Sequence, residues 1–168
     1  MMQMRRALLA LAALLSLIPL AAGTAFAGGP PQHFTFHFTN ETQTFDDVDP
    51  CTFQATTITL TFSGVTHLTV FDDGTGHFTD TLRGTFAFDY DPPDGQIDAT
   101  GTFVDWDGGN GLFDQDGNPI GKGEVGFTLN GSGTYTDSGV EFKFHNNAHA
   151  VFDQFGNPKI DFFKAHCH

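Results

Sequence analysis

From residue 28 onward the chain alternates apolar and polar residues with a period of two, which is the pattern of half-buried β-strands. The clearest run is 33–39, where three phenylalanines alternate with His and Thr. Gly, Asp, Asn and Pro clusters separate such runs, and no run shows the 3.6-residue period of a helix. The predicted strands cover about 33–39, 53–63, 65–71, 76–90, 96–106, 121–136, 139–153 and 158–167. Between them the sequence predicts an acidic loop near 46–49 and a Gly/Asp/Asn-rich loop over 107–119.

This strand pattern predicts an all-β fold. About eight strands joined by short turns favour a single antiparallel β-barrel, and a two-sheet β-sandwich is the alternative. Closure would also remove the exposed edges that make Phe-rich strands prone to aggregation.

The N-terminal segment has the features of a cleavable signal peptide. Arg5 and Arg6 precede an apolar run, and the segment closes with Ala25-Phe26-Ala27. A charged region, an apolar region and an A-x-A site in this order predict export. We therefore expect a signal peptide at 1–27 and a secreted, extracellular domain at 28–168. No second apolar run follows, so we expect no membrane insertion after cleavage.

The composition of the predicted secreted part disfavours some classes of binding partner. All 20 acidic residues remain after cleavage against five basic ones, which gives a net charge of −15. Such a charge repels nucleic acid and anionic lipid headgroups. The 19 remaining phenylalanines supply enough apolar surface for a folded core, whereas disordered chains are poor in aromatic residues.

The chain has two cysteines, Cys51 and Cys167, and both lie in the predicted secreted part. An even number of cysteines in an exported domain predicts a disulfide. Cys51 follows the first strand and Cys167 ends the last, so the bond would join the two strands that must meet to close a barrel. The alternative is a pair of free thiols.

One His–Asp pair is the catalytic candidate. If Asp73-Gly74 forms a two-residue hairpin turn, His67 lies opposite Asp80 on the apolar face of the hairpin. A His–Asp pair in such a place could serve as an acid–base pair. A satisfied polar pair, or a register different by one residue, is the alternative.

The sequence predicts no metal or cofactor site. His145 and His149 lie four residues apart on one strand, about 13 Å, which is too far for one ion; His149 is expected near Asp161. Asp105-x-Asp107 and Asp114-x-Asp116-x-Asn118 look like fragments of a calcium loop but lack its full spacing and closing Glu. Calcium binding by these acidic segments stays open.

Several short elements resemble small secreted bacterial β-proteins without assigned function. The elements are Pro50-Cys51-Thr52, Gly64-Val65-Thr66-His67, Asp73-Gly74 and the terminal Cys167. The resemblance implies an exported, barrel-like domain and no known activity. In architecture the chain is also similar to lipocalin-type and allene-oxide-cyclase-type barrels, although the lipocalin G-x-W motif near the first strand is absent.

These features favour a secreted protein that binds a small apolar or amphipathic molecule, since an eight-stranded barrel can hold one small ligand. A cyclase or isomerase that uses His67 and Asp80 is the second hypothesis. An extracellular structural, adhesion or metal-binding module is the third. The oligomeric state stays open.

Overall fold

The computed structural model describes residues 29–113 and 119–168. In this part of the chain a 3₁₀ turn, Pro92–Asp94, accompanies the strands. The strands are β1 (Gln32–Val48), β2 (Ala55–Val70), β3 (Gly76–Asp89), β4 (Ala99–Phe113), β5 (Pro119–Tyr135), β6 (Glu141–Phe152) and β7 (Pro158–Cys167). The predicted signal peptide at 1–27 and the predicted calcium fragment at 114–118 lie outside the described residues.

All strands belong to one antiparallel sheet in the order β1-β2-β3-β4-β5-β6-β7. The prediction of a single antiparallel all-β domain is therefore confirmed. Seven strands form the sheet, and a bulge between Phe38 and Glu41 divides β1 into two halves. The sheet is barrel-like but not closed, since β1 and β7 do not pair in the described part of the chain.

Three predicted loop or strand boundaries are wrong. β2 runs without a break through Gly64, because the irregularity lies on the partner strand β1. β1 extends through the predicted acidic loop to Val48. β4 continues to Phe113, through most of the stretch expected to be a Gly-rich loop. Glycine there does not end the strand, because neighbouring strands supply the ladder and the side chains that cover it.

The apolar core lies on one face of the sheet, here called the inner face, and forms two clusters. The larger cluster contains buried side chains from β2, β3, β4 and β6, which are Ile58, Phe62, Leu82, Phe86, Phe88, Ala99, Phe103, Phe142 and Phe144. The smaller cluster contains Phe78 and Val125, with Leu68, Phe127 and Phe152 packed against them. The two clusters occupy different stretches of the same strands.

Glycines in β4 and β5 allow the larger cluster to pack. The ring of Phe144 from β6 lies over Gly131, and a Cβ added to Gly131 would collide with it. The ring of Phe86 from β3 covers Gly101 and reaches Gly133. As a result Phe86 and Phe144 come within 5.7 Å between ring centroids, although two strands separate their backbones. Aromatic rings above strand glycines are a known means of curving a sheet.

The disulfide prediction is confirmed. Cys51 and Cys167 are bonded, with their Cα atoms 5.5 Å apart. Cys51 lies in the connection between β1 and β2, and Cys167 ends β7, so the bond links opposite ends of the strand order. In a closed barrel, backbone hydrogen bonds would join the first and last strands; here the disulfide links the two ends of the sheet instead.

Within 29–113 and 119–168 the structure has no helix long and apolar enough to cross a membrane.

Candidate functional site: an acidic cluster on the inner face

A group of polar residues interrupts the inner face between the two apolar clusters. Its centre is three aspartates, Asp80 of β3 with Asp105 and Asp107 of β4, here called the acidic cluster. Asp80 pairs with Asp107 across adjacent strands, and Asp105 lies two residues before Asp107 on the same face. Thr66 of β2 pairs with Asp80 on the other side. Asn146 of β6 belongs to the same face, in the row that contains Asp105.

Strand alternation places these polar side chains inside. On β3, Asp80 shares a face with Phe78 and Leu82, whose side chains are both buried. Asp105 follows the buried Phe103 by two residues and is 6 % exposed. The period of two thus forces the carboxylates onto the apolar face. Asn146 (5 % exposed) and Thr66 (1 % exposed) are buried with them.

Two hydrogen bonds hold the cluster together. The Thr66 hydroxyl donates to the Asp80 carboxylate. Asp105 and Asp107 bond each other side chain to side chain; this contact lowers the pKa of Asp105 and raises that of Asp107.

Four buried oxygen atoms in this region have no hydrogen-bond partner among the described residues. They are one carboxylate oxygen each of Asp80, Asp105 and Asp107, and the amide oxygen of Asn146. Buried polar atoms are nearly always paired in native proteins, and each exception calls for water, an ion or a ligand. All four atoms are acceptors, so whatever completes them must donate.

Burial and mutual repulsion raise the pKa values of the three acids. Desolvation raises the pKa of Asp80 to about 6, against the bonds from Thr66 and the Thr81 backbone. Desolvation is also the main cause that raises the pKa of Asp105 to about 7, with a contribution from the charge of Asp80. It raises the pKa of Asp107 to about 9, and the charges of Asp105 and Asp80 add to the shift.

This arrangement can hold a shared proton and accept hydrogen bonds in an apolar setting. Burial raises the pKa values of Asp80 and Asp107, and it raises that of Asp107 further because the charges of Asp105 and Asp80 add to the shift. Raised pKa values in such a cluster make it a candidate functional site.

The predicted pair of His67 and Asp80 is not brought together. His67 pairs with Thr79, and Asp80 pairs with Thr66, so the expected register is wrong by one residue. The turn has three residues rather than two: Phe71 N–H donates to the Thr75 carbonyl. Gly74 adopts the left-handed conformation that closes such three-residue loops.

His67 therefore belongs to the outer face. It is exposed and bonds the Thr35 hydroxyl of β1 through Nδ1, at 3.1 Å. Asp80 remains on the inner face without it. The acid–base pair that motivated a cyclase or isomerase is absent.

The other predicted neighbours also differ by one residue. Asp161 pairs with Ala150, and Phe162 pairs with His149, so Phe162 lies beside His149 on the outer face. The His149 Nε2 atom approaches Glu124 Oε2 at 3.5 Å instead. Among the described residues no three His, Cys, Asp or Glu side chains are grouped to hold a metal ion.

A second buried carboxylate, that of Asp49, differs from the acidic cluster because both of its oxygens have hydrogen-bond donors. It is 0 % exposed and accepts hydrogen bonds from the hydroxyls of Tyr90 and Tyr135, the latter at 3.1 Å. The backbone N–H groups of Cys51 and Thr52 donate to its other oxygen at 2.6 and 3.2 Å. Asp49 thereby ties the connection that carries Cys51 to β3 and β5.

Sequence reasoning missed Thr66, Asn146 and the Asp49 centre. Asn146 falls in phase with Phe144 and Ala148 on β6, which is a usable signal. Asp105 and Asp107 fall in phase with Phe103, but the strand was predicted to end at 106 and the Gly-rich stretch from Asp107 onward was predicted to be a loop. Nothing in the sequence indicates that Asp49 meets two tyrosines from other strands.

Comparison with known proteins does not assign this chain to a family. No protein-family model, curated protein or solved structure matches this chain. The function must be inferred from the site itself.

Proposed function

We propose that this protein is an exported binding protein that holds a small amphipathic molecule against the inner face of its sheet. The apolar part of the ligand packs on the phenylalanine clusters, and its polar part meets the acidic cluster. The observation that carries the proposal is the set of unpartnered buried oxygens of Asp80, Asp105, Asp107 and Asn146. Ligand sites combine an apolar lining with a few such polar groups.

The position of the acidic cluster supports an amphipathic ligand rather than a wholly apolar one. Phe127 pairs with Asp107, and Phe103 is the next inner-face residue before Asp105 on β4. An apolar chain on these rings would bring its polar end beside the carboxylates. A wholly apolar ligand would leave the four oxygens without partners, which costs about 1–3 kcal/mol for each group.

Export is the second part of the proposal. The pattern at 1–27 supports it, and the Cys51–Cys167 disulfide is compatible with an oxidising compartment outside the cytoplasm. A net charge of −15 after cleavage supports a small-molecule partner rather than nucleic acid or an anionic membrane.

Fluorescence titration with N-phenyl-1-naphthylamine, a neutral amphipathic probe, tests the binding function. We expect saturable binding of about one probe per chain. Asn146→Leu should weaken it several-fold, because it removes an acceptor and fills space on the inner face. The matched control is Asn147→Leu, which changes the neighbouring side chain on the outer face and should leave binding unchanged. Absence of saturable binding, or equal effects of the two variants, would overturn the proposal.

Native mass spectrometry of the protein from its own secretion medium tests for the natural ligand. We expect a native mass above the denatured mass by the mass of one small molecule. The denatured mass also reports cleavage after residue 27, and a chain that retains residues 1–27 in the medium would contradict the export proposal.

A further inference from the structure

We propose, on the basis of the binding function above, that the polar group of the ligand is an organic ammonium ion. The site then takes a primary alkylamine, whose N–H groups donate to the oxygens of the acidic cluster and of Asn146. Three independent features of the inner face lead to this class: the type of the unpartnered atoms, the distribution of charge and the spacing of the carboxylates.

The first feature is that every unpartnered atom of the site accepts hydrogen bonds. Three of the atoms are carboxylate oxygens, and the fourth is the Asn146 amide oxygen, on a side chain that is 5 % exposed and belongs to another strand. A ligand that presents acceptors, such as a carboxylate or a phosphate, would leave them all unpaired. An ammonium group presents up to three donors and no acceptor.

The second feature is the distribution of charge. The arginine and lysine side chains of the described residues, which are Arg83, Lys122, Lys143, Lys159 and Lys164, are all exposed. The described part of the chain thus supplies no lysine or arginine to a site in which Asp80 is ionised at neutral pH. A buried charge without a partner is strongly unfavourable, and a cationic ligand removes that penalty.

The third feature is the spacing of the acids. Asp80 and Asp107 face each other across adjacent antiparallel strands, which places their Cβ atoms about 5 Å apart. A nitrogen that bonds two oxygens at about 2.8 Å spans a separation of this size. The aromatic rings of Phe103 and Phe127 beside the carboxylates would add attraction for a cation.

A matched series of decyl compounds, each below its critical micelle concentration, tests the head group by calorimetry at pH 7. The series is decylammonium, decanol, decyltrimethylammonium and decyl sulfate. We expect decylammonium to bind roughly tenfold to a hundredfold tighter than decanol, because its hydrogen bonds to carboxylates are charge-assisted. Decyltrimethylammonium carries the charge without donors and should bind more weakly than decylammonium.

The variant Asp80→Asn/Asp107→Asn removes both carboxyl groups that the ammonium nitrogen would bridge, so it should lose the preference for decylammonium over decanol and keep its affinity for decanol. The control Asp72→Asn/Asp137→Asn replaces two carboxyl groups in exposed turns and removes at least as much negative charge. It should keep the preference, which separates the site from the general negative charge of the protein. Circular dichroism checks that each variant is folded.

The outcomes separate this inference from the function on which it rests. If decanol or decyltrimethylammonium binds as tightly as decylammonium, the ammonium inference is overturned and the binding function stands. If decyl sulfate binds best, the inference is likewise overturned. If calcium ion alone displaces decylammonium and binds with one ion per chain, the site is a metal site and the inference is wrong. If no member binds, both proposals are overturned.

Discussion

Among the described residues two groups of aspartates have buried carboxylate oxygens, and they differ in how completely those oxygens are paired. Asp49 is enclosed by four donors from three parts of the chain. Asp80, Asp105 and Asp107 lie among phenylalanines, and each keeps one oxygen that no group of the described residues satisfies. Removing a carboxylate from water costs free energy in both groups. The hydrogen bonds that Asp49 accepts offset this cost, whereas the acidic cluster lacks some of the hydrogen bonds that would offset it.

The difference separates a structural polar centre from the cluster that we propose as a binding site. A saturated carboxylate such as Asp49 holds backbone segments in place, and here it positions Cys51 for the disulfide. An unsaturated cluster lowers the stability of the free protein and regains that free energy when a donor binds. Binding sites are commonly less stable than they could be for this reason.

The largest expected effect on stability comes from removing the disulfide that Asp49 positions. Cys51→Ser/Cys167→Ser should lower the free energy of unfolding by about 4 kcal/mol, because the bond closes a loop of more than 100 residues and restricts the unfolded chain. Urea denaturation of the variant measures this loss, and reduction of the wild type should reproduce it. A loss below about 1 kcal/mol would mean that hydrogen bonds alone hold the β1–β2 connection against β7.

The next largest effect on stability comes from replacing Asp49, whose carboxylate oxygens all have hydrogen-bond donors. Asp49→Ala should lower the free energy of unfolding by about 3 kcal/mol, because two tyrosine hydroxyls and two backbone N–H groups lose their acceptor. The matched control is Asp72→Ala in the exposed β2–β3 turn, which should change stability by less than about 0.5 kcal/mol. Similar losses in both variants would show that Asp49 has no special role.

The acidic cluster should make stability depend on pH. An unfolded Asp has a pKa near 3.8, and burial raises the values of Asp80, Asp105 and Asp107 to about 6, 7 and 9. Between these limits the folded state binds more protons than the unfolded state. Stability is therefore fully present below about pH 4 and falls as the pH rises toward 9.

Urea denaturation from pH 5 to pH 9 measures this dependence. We expect the free energy of unfolding to fall by at least about 2 kcal/mol over this range, and Asp107→Asn should reduce the slope. A profile that is flat, or that rises with pH, would show that the carboxylates are not desolvated in the folded protein.

The smallest effect concerns Asn146. Asn146→Leu should raise the free energy of unfolding by about 1 kcal/mol, since it replaces an unpartnered buried amide oxygen with an apolar group. Asn147→Leu loses the bond from Asn147 to the Thr128 hydroxyl on the outer face and should gain nothing. A loss of stability in Asn146→Leu would instead assign the amide to a water-filled network that the leucine disrupts.

Alternation predicted the all-β fold and the phenylalanine core, because the side chains of a strand repeat every two residues and only one face is buried. The pairing of particular residues could not be predicted as well. One extra residue in the turn closed by Gly74 placed His67 on the outer face and left Asp80 on the inner face. The acidic cluster spans β3 and β4, so its members meet only through a register that local sequence does not fix.

The comparison between the two aspartate centres can be tested most directly with isosteric variants at neutral pH. Asp49→Asn and Asp107→Asn each exchange one carboxyl group for an amide, and urea denaturation at pH 7 gives both free energies of unfolding. We expect Asp49→Asn to lose about 2 kcal/mol, because the amide nitrogen would face tyrosine donors. We expect Asp107→Asn to gain about 2 kcal/mol, because an amide does not ionise and so removes the cost that burial imposes on the Asp107 carboxyl group at this pH. Opposite signs would support a structural role for Asp49 and a binding role for the acidic cluster, whereas a loss of stability in both variants would contradict it.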